Sequence, residues 1–427
     1  MKNIHVLLLD YSNSFALNQA LSSLNLIYHH IKDIVIMKEA NSQLKHSNSS
    51  INHEINYIQL LNDDLGMTLN EYIKTLSYDY TLFLYDQDYF TSEIKDVKLE
   101  LSDNQPIMTC PYIIKNNTIQ RPFLVKTSFL KQTNFFSKYQ IPFKETLLSS
   151  WLSKLNKSCV INQKGNFINQ TRSDKTICML QKLNFIEKYQ YETEKDTKQP
   201  SISVMISNYN MAEYVGIAVN SCLMQNNPPE QILVIDDGST DNSYKELEAW
   251  NTFPEVKFFR KNNEGKARAL NDLLPYIKTD FVVELDADDW FDPDAFSVIR
   301  KYLTKLSDDV NVLYGNLRIW RQISTGIVKY KRTLKGKKVN NKNELLSYQF
   351  PLGPRIYRTS SLRKNNGFPI IKFENGRMYE DVSILNKLLK EGCLLYQDFT
   401  VYNVRDHPLS ITKKKSSNWS DFLKYLD

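Results

Sequence analysis

The chain has 427 residues, enough for about two to four domains of roughly 100 to 200 residues each, so a single small domain is excluded. With 42% apolar and 24% charged residues, and only 12 Gly and 14 Pro, the composition excludes a disordered, collagen-like or coiled-coil chain. The 54 Lys and Arg residues against 48 Asp and Glu give +6 over a large chain, which argues against a nucleic-acid binder.

The five cysteines are widely spaced and form no CxxC pair. They predict neither a disulfide framework nor a cysteine zinc site, and they fit a reducing cytoplasm. The apolar run at the N-terminus is too short for a secretory signal, and no stretch reaches the ~20 apolar residues of a membrane span. We therefore expect a soluble, cytoplasmic protein that is at most peripheral to a membrane.

Polar and charged residues displace the apolar pattern at 186–200, which predicts a linker before a strand that begins at Ile202. We place two domains at 1–190 and 201–427, joined by a linker at 191–200. In the second domain, apolar runs that predict strands alternate with helical patterns. The predicted strands are 202–206, 232–235, 256–259 and 281–285, and the predicted helices are about 212–223, 242–250 and 266–276. This alternation is typical of an α/β domain with a mostly parallel, doubly wound sheet.

The first half carries a degraded copy of the second in the same order. Asp86 and Asp88 follow an apolar run as Asp286 and Asp288 do, and a glycine lies 20 positions before the first acid in one copy and 21 in the other. Further echoes join 126–131 to 358–363 and 143–155 to 379–389. We interpret the chain as two tandem domains of one Rossmann-like fold.

Acidic residues leave the strand at 281–285 directly. Asp286 and Asp288 are two positions apart, so they are expected to point to the same side and to converge on one target. Carboxylates suit Mg²⁺ and Mn²⁺, and open parallel sheets bind ligands beyond the carboxyl ends of their strands. The alternative is that Asp289 or Asp292 caps the helix that follows.

Two other strands also end in polar residues. Asp237 can accept a hydrogen bond from a base N–H or a ribose hydroxyl, and Tyr209 can stack on a base. Ser239 is expected to cap the next helix. Three polar strand ends that share one crevice favour a ligand site over solvated acids.

These segments, together with 263–271, 379–381 and 405–412, resemble the family 2 glycosyltransferases of GT-A fold. The resemblance covers about residues 200–412 with six motifs in order. It implies a metal-dependent transfer of a sugar from a nucleotide-sugar donor, a UDP-sugar being the first candidate, to an acceptor hydroxyl. It also implies inversion at the anomeric carbon.

The resemblance assigns nucleotide contacts to Ser207, Tyr209, Asp237, Lys266, Arg268 and Asp286. The first three would hold the base and ribose, and Asp286 would reach the ribose side. Lys266 and Arg268 stay open as alternatives for the basic contact to the donor, because 267–271 departs from the family's commoner pattern.

The resemblance also assigns the metal and the base. Asp288 and His407 would bind Mn²⁺ or Mg²⁺, and Asp381 would be the general base with Glu380 beside it. Taken alone, the acids at 380 and 381 equally suit a helix N-terminus, and a lone histidine is more often a packing residue. Because the motifs occur together and in order, we favour the catalytic role for the two acids and the metal-binding role for the histidine.

Two basic runs, 335–338 and 413–415, lie in polar connections. Such runs are usually solvated. The alternatives are a mobile basic loop over the diphosphate, or contact with an anionic polymer or a membrane.

The first domain keeps its paired acids, and Glu145 with Lys144 stands in for the pair at 380 and 381. It has Lys38 and Glu39 where the second domain has Asp236 and Asp237, and the position counted to match His407 is Thr171. We expect a non-catalytic copy that packs on, or extends, the acceptor surface.

The expected protein is thus a transferase that acts on a cell-envelope or surface glycan, with a homo-oligomer or peripheral membrane contact as further possibilities. The alternatives are a two-site polysaccharide polymerase, or a pseudoenzyme scaffold that binds a nucleotide or a glycan.

Overall fold

The computed structural model describes residues 3–46, 53–114, 117–169, 176–190, 199–324, 327–347, 352–408 and 419–426. The chain divides into two compact units, Met1–Ile186 and Glu187–Asp427. Most of the predicted linker at 191–200 lies outside the described residues. No helix in the described part of the chain is both long and apolar enough to cross a bilayer.

The first unit is built on a sheet of seven strands. Its strands, including a separate two-stranded pair, are β1 (Ile4–Leu9), β2 (Ile31–Lys38), β3 (Ile55–Gln59), β4 (Tyr80–Tyr85), β5 (Tyr89–Phe90), β6 (Ile107–Ile114), β7 (Asn117–Lys126), β8 (Val160–Asn162) and β9 (Ile168–Asn169). The helices up to the unit boundary are α1 (Ser14–Leu24), α2 (Leu65–Thr75), α3 (Thr127–Leu130), α4 (Leu147–Ser153) and α5 (Thr176–Glu187).

The second unit contains a sheet of nine strands. The strands are β10 (Ile202–Asn208), β11 (Gln231–Asp237), β12 (Val256–Lys261), β13 (Phe281–Asp286), β14 (Trp290–Phe291), β15 (Val310–Ser324), β16 (Ile327–Leu334), β17 (Arg355–Arg358) and β18 (Cys393–Asp406). The helices are α6 (Val215–Leu223), α7 (Ser243–Glu248), α8 (Lys266–Leu273), α9 (Ala295–Leu303), α10 (Lys342–Leu346), α11 (Thr359–Lys364), α12 (Glu380–Leu389) and α13 (Trp419–Leu423).

The two sheets share one strand order. The first unit runs β3-β2-β1-β4-β7-β6-β8, and the second runs β12-β11-β10-β13-β17-β15-β18 with β14 beyond. In both, the first four strands pair in parallel, the next two contacts are antiparallel, and the last is parallel. The short strands β5 and β14 also correspond. Tyr89 on β5 lies opposite Asn169 on β9, and Trp290 on β14 lies opposite Asn403 on β18. The predicted α/β class with mostly parallel sheets is confirmed for both units.

In the second unit, the central strands are buried on both faces. Val204 and Val234 pack into one apolar cluster with α6 and α9, while Met205 and Leu233 pack into another with α8 and α12. Successive side chains on a strand point to opposite faces, so helices on both sides of the sheet cover continuous apolar runs. This packing fixes the carboxyl ends of β10, β11 and β13 at one edge of the sheet.

Candidate active site

The polar residues after β10, β11 and β13 lie side by side. Asn208 is in register with Asp236 on one neighbouring strand, and Ser207 is in register with Asp286 on the other. Because parallel strands present their carboxyl ends at the same edge, the predicted nucleotide residues are brought to one rim of the sheet. Tyr209 follows on the same rim with 44% of its surface exposed, as a residue that stacks on a ligand requires.

Asp237 clamps the loop that precedes α8. Its Oδ1 accepts the backbone N–H of Glu264 at 2.9 Å and its Oδ2 accepts that of Gly265 at 2.8 Å, while the amide of Asn263 donates to its backbone carbonyl. The side chain is buried. A carboxylate has about four acceptor positions, and these two hydrogen bonds use half of them.

Asp236 organises the neighbouring turn. Its buried carboxylate accepts hydrogen bonds from Asn208 Nδ2 at 3.0 Å and from the hydroxyl of Ser239. The expectation that Ser239 caps the next helix is wrong, because its hydroxyl is committed to this buried network. Asp241 instead accepts the backbone N–H of Ser243, the first residue of α7, at 2.9 Å.

Lys266 is the centre of a charge cluster. Its Nζ lies 2.6 Å from Glu284 Oε1, 2.5 Å from Asp286 Oδ1 and 3.3 Å from Glu380 Oε1. Burial alone would lower the pKa of Lys266, but the carboxylates of Asp286, Glu284 and Glu380 raise that pKa well above its usual value. The side chain is therefore cationic at any physiological pH.

Arg355 extends the cluster to the acid that the resemblance names as the base. Its Nε donates to Glu284 Oε2 at 3.2 Å and its Nη1 donates to Asp381 Oδ2 at 3.3 Å. Burial raises the pKa of Glu284, but the charges of Arg355 and Lys266 outweigh burial and hold that pKa at about 2. Glu284 is thus ionised at neutral pH, and it pairs with both Lys266 and Arg355 from its position on β13.

Glu380 and Asp381 occupy the first turn of α12. Burial raises the pKa of Glu380, against the opposing charge of Lys266. Asp381 Oδ1 accepts the backbone N–H of Val382 at 2.8 Å. The helix N-terminus stabilises both carboxylates, so the structural and the catalytic interpretation of this pair are compatible.

His407 lies against Asp288 and is also packed in the interior. Its Nε2 is 2.8 Å from Asp288 Oδ2, its ring is buried, and the ring of Tyr214 lies 5.0 Å away between centroids. Asp286 is held by Lys266, so the two acids that were expected to converge have different partners. The helix-capping alternative is wrong for both residues concerned, because Asp289 accepts the backbone N–H of Arg405 and Asp292 binds Arg318.

Asp288 and His407 could bind a divalent cation only together with ligands that the protein does not supply. No group of three or more His, Cys, Asp or Glu side chains able to hold a metal occurs among the described residues. The pair of Asp288 and His407 offers two donor atoms on one rim. Mg²⁺ and Mn²⁺ accept such a partial set because substrate phosphates and water complete their shells.

Part of the second unit matches a known protein family. Residues 203–365 match the model of the family described as Glycosyl transferase family 2. The match runs from β10 to α11 of the second unit.

Relatives match parts of the chain. An uncharacterized glycosyltransferase of Rickettsia felis is 27% identical over 237 residues, which is 53% of this chain and 39% of that protein. Chondroitin synthase of Pasteurella multocida is 33% identical over 107 residues, 25% of this chain and 11% of that protein. The chain thus spans well under half the length of these two relatives. A solved structure of S. aureus TarS 1–349 in complex with UDP-GlcNAc is 21% identical with a TM-score of 0.40, and the match covers 53% of this chain and 64% of that one.

In the second unit, the two candidate basic residues on α8 have different surroundings. Lys266 lies within the acid cluster, whereas Arg268 donates to the carbonyls of Glu264 and Asn375 at 3.1 and 2.7 Å. Arg268 therefore holds the turn at Phe373–Gly376. Lys266 is the one of the two that the structure places beside Asp286.

Sequence reasoning missed Glu284, Arg355 and Arg405 in the second unit. The signal for Glu284 is a charged residue within a buried apolar strand, and charged residues are seldom buried unless they are paired. Arg405 carries the same signal on β18, where its guanidinium lies 4.8 Å from the ring centroids of both Tyr214 and Trp290. Arg355 follows Pro354 at the start of a four-residue strand, and its partners are distant in the chain.

In the first unit, basic side chains meet the corresponding acids. Arg121 Nη1 is 3.5 Å from Asp88 Oδ2, and Lys144 Nζ is 3.0 Å from both Asp10 and Glu39. Glu145 pairs with Lys182. Thr171 and the basic run at 413–415 lie outside the described residues.

Proposed function

We propose that the second unit transfers a sugar from a nucleotide-sugar donor, a UDP-sugar being the first candidate, to an acceptor hydroxyl with inversion at the anomeric carbon. The observation that carries the proposal is the contact of Lys266 with three carboxylates, two on β13 and one on α12. Residues that are up to 114 positions apart in the chain meet at the edge where parallel sheets bind ligands.

The charge of this cluster supports a cationic cofactor. Four carboxylates, those of Glu284, Asp286, Glu380 and Asp381, face the two cations of Lys266 and Arg355. The excess of negative charge attracts a divalent cation to the neighbouring rim. Asp288 and His407 would hold Mn²⁺ or Mg²⁺ there, and the bound ion would neutralise charge on the diphosphate leaving group.

The nucleotide would bind at the ends of β10 and β11. Asp237 would accept a hydrogen bond from a base N–H or a ribose hydroxyl, Tyr209 offers an exposed ring for stacking, and Ser207 lies on β10 in register with Asp286. Asp286 would face the ribose side, with Lys266 beside it to meet developing negative charge.

Asp381 would take the proton of the acceptor hydroxyl. Its Oδ2 is oriented by Arg355 and its Oδ1 by the backbone of α12, and this oriented carboxylate would accept the proton of the acceptor O–H. Glu380, the residue before Asp381, would assist the general base. Burial raises the pKa of its carboxyl.

The acceptor we propose is a glycan of the cell envelope or surface, modified on the cytoplasmic side by a protein that is oligomeric or bound at a membrane surface. The match to a protein named chondroitin synthase supports a glycan acceptor. The four cysteines whose side chains are described are free, which fits a reducing compartment.

The first unit would be a non-catalytic copy of the fold that contributes to the acceptor surface. Its Asp88 lies beside the guanidinium of Arg121, where the equivalent Asp288 of the second unit faces His407, so a side chain already neutralises the position that a metal would need. This arrangement favours a single-site transferase over the two-site polymerase.

A panel of nucleotide-sugars tests the proposal. The full chain is incubated with each donor and Mn²⁺ or Mg²⁺, and release of the nucleoside diphosphate is measured with and without a glycan acceptor. We expect one donor to turn over and metal chelation to stop it. Binding of nucleotide without turnover of any donor would instead favour the pseudoenzyme scaffold.

A further inference from the structure

The hairpin of β15 and β16 is strongly basic. Residues 327–339 contain six Lys and Arg residues and no Asp or Glu. β16 pairs only with β15 among the described strands, so it forms an edge of the sheet. The basic run at 335–338 that the sequence singled out is the continuation of this strand.

Two positive side chains lie directly opposite each other on this hairpin. Arg321 on β15 is in register with Lys329 on β16, and both side chains are exposed. Neither has an ion pair or a side-chain hydrogen bond to another described residue. Like charges that face each other across two strands destabilise the sheet, so the fold gains nothing from this pair by itself.

The neighbouring lysines differ because acids on β18 neutralise them. Lys331 Nζ is 3.0 Å from Asp406 Oδ2, and Lys335 Nζ is 3.0 Å from Asp398 Oδ2. These two ion pairs show that acids on β18 can neutralise lysines of the hairpin. Arg321 and Lys329 have no such ion pair with a described acid.

The uncompensated pair is close to the candidate metal residues. Arg321 is in register with Asp406, the residue that precedes His407. Neighbouring strands are about 4.8 Å apart, so Lys329 lies about 10 Å from Asp406 across two strand spacings. A ligand held by Arg321 and Lys329 would therefore extend toward the rim that carries Asp288 and His407.

Protection of an edge strand is the structural alternative, because lysines on an edge discourage pairing with other chains. That role explains charges on β16. It does not explain Arg321, which lies on the inner strand β15 between β16 and β18.

We propose that Arg321 and Lys329 bind the anionic groups of an acceptor glycan and guide its chain toward the catalytic rim. This inference rests on the proposed transferase function and adds the class of acceptor, a polyanionic glycan. Exposed cations attract such a chain through a salt-screened field, and its binding neutralises the like-charge pair.

The test compares two double variants of the full chain with equal change in net charge. R321Q/K329Q removes the pair, and K301Q/K305Q removes two exposed lysines of the α9 region that have no ion pair to another described residue. The probes are polygalacturonate as a carboxylate polymer, inorganic polyphosphate as a phosphate polymer, neutral dextran, and vesicles of phosphatidylglycerol and phosphatidylcholine. Affinity is measured at several salt concentrations, beside the affinity for UDP with Mn²⁺.

We expect the parent to bind at least one anionic polymer but not dextran, and R321Q/K329Q to bind about tenfold more weakly with a salt dependence reduced by about two. K301Q/K305Q should bind as the parent does. The preferred polymer then identifies the anion of the acceptor as carboxylate or phosphate.

Equal weakening by both double variants, or no binding of either polymer, overturns the proposal. Hairpin-dependent binding to the anionic vesicles in preference to the polymers also overturns it, and would assign the surface, with the exposed Ile323 on the same hairpin, to a membrane. If R321Q/K329Q aggregates, the single variant R321Q replaces it, because R321Q leaves the edge strand unchanged. Its polymer affinity is then compared with that of the parent and of K301Q/K305Q. Failure of the parent to bind UDP contradicts the transferase function and leaves the polymer result to be judged separately.

Discussion

Asp88 and Asp288 hold equivalent positions after corresponding strands, but they meet different partners. Asp288 faces a histidine at 2.8 Å, a group that can itself ligate a metal. Asp88 is buried beside the guanidinium of Arg121 at 3.5 Å, with the hydroxyl of Tyr11 donating to its backbone carbonyl. A permanent cation beside Asp88 makes a second metal site there unfavourable.

The environment of Asp88 gives a pH prediction. Burial raises the pKa of Asp88 to about 6, although Arg121 opposes the shift. A carboxyl whose pKa is higher in the folded than in the unfolded state stabilises the fold at low pH and loses that contribution as the pH rises through about 4 to 6. D88N should therefore be more stable than the parent at pH 7.5, by on the order of 1 to 3 kcal/mol, and equal to it near pH 4.

Melting temperatures of the full chain between pH 4 and 8 measure this difference. The exposed Asp103, replaced in D103N, is the control and should show no gain at pH 7.5. A D88N protein that is less stable than the parent at pH 7.5 would show that the pairing with Arg121 outweighs the cost of burial.

Asp381 gives a prediction that separates binding from chemistry. A general base acts on the acceptor proton while the donor is held elsewhere, so D381N should lower the transfer rate by about two orders of magnitude or more and leave nucleotide affinity near the parental value. Calorimetric titration beside a turnover assay measures both quantities. A large loss of affinity with little change in rate would contradict the assigned role.

At the scale of elements, the turn after β11 depends on glycine. Gly238 has φ of +73°, and a Cβ added there would lie 2.6 Å from the backbone nitrogen of Asn263. This close approach is what lets Asp237 reach the backbone N–H groups before α8.

We expect G238A to lose about 1 to 3 kcal/mol of stability and to weaken nucleotide binding, because both the left-handed backbone and the contact with Asn263 are lost. G165A is the control, since Gly165 also has a positive φ of +123° but its added Cβ would meet nothing closer than 3.6 Å. Thermal melting and titration with UDP check the two variants. Equal nucleotide affinity of G238A and the parent would contradict the role of this turn.

The sequence predicts the strands well and the ends of helices less well. β10, β11 and β13 contain their predicted segments because continuous apolar runs can be buried only inside a sheet covered on both faces. The helix expected at 266–276 ends as an α-helix at Leu273 and continues as a 3₁₀ turn at Leu274–Tyr276, because Pro275 lacks the N–H that an α-helix needs.

Residue contacts were predictable where a motif is local and not where partners are distant in the chain. The acids after β11 and β13 directly follow apolar runs, so a local pattern in the sequence identifies them. The link from Lys266 to Glu380 and from Arg355 to Asp381 depends on how α12 packs on the sheet, which no local pattern specifies. The same limit applies to Ser239, whose buried partner Asp236 could be identified only in the folded turn.

At the scale of the whole molecule, the two units share a strand order but differ in the charges at the strand ends. If the first unit has no chemistry, D86A/D88A should leave donor turnover unchanged, because neither carboxylate would hold a metal. Turnover is measured together with circular dichroism and melting temperature. Loss of transfer in a variant that keeps its fold would favour the two-site polymerase.

The central claim is that the second unit holds a nucleoside diphosphate through a divalent cation at Asp288. Calorimetric titration of UDP into the full chain, with Mn²⁺ or after chelation, tests it most directly. The account predicts binding only with the metal, its loss in D288N, and parental affinity in D308N, which changes an exposed aspartate of the same unit. UDP bound by D288N with parental affinity at saturating Mn²⁺ would contradict the account.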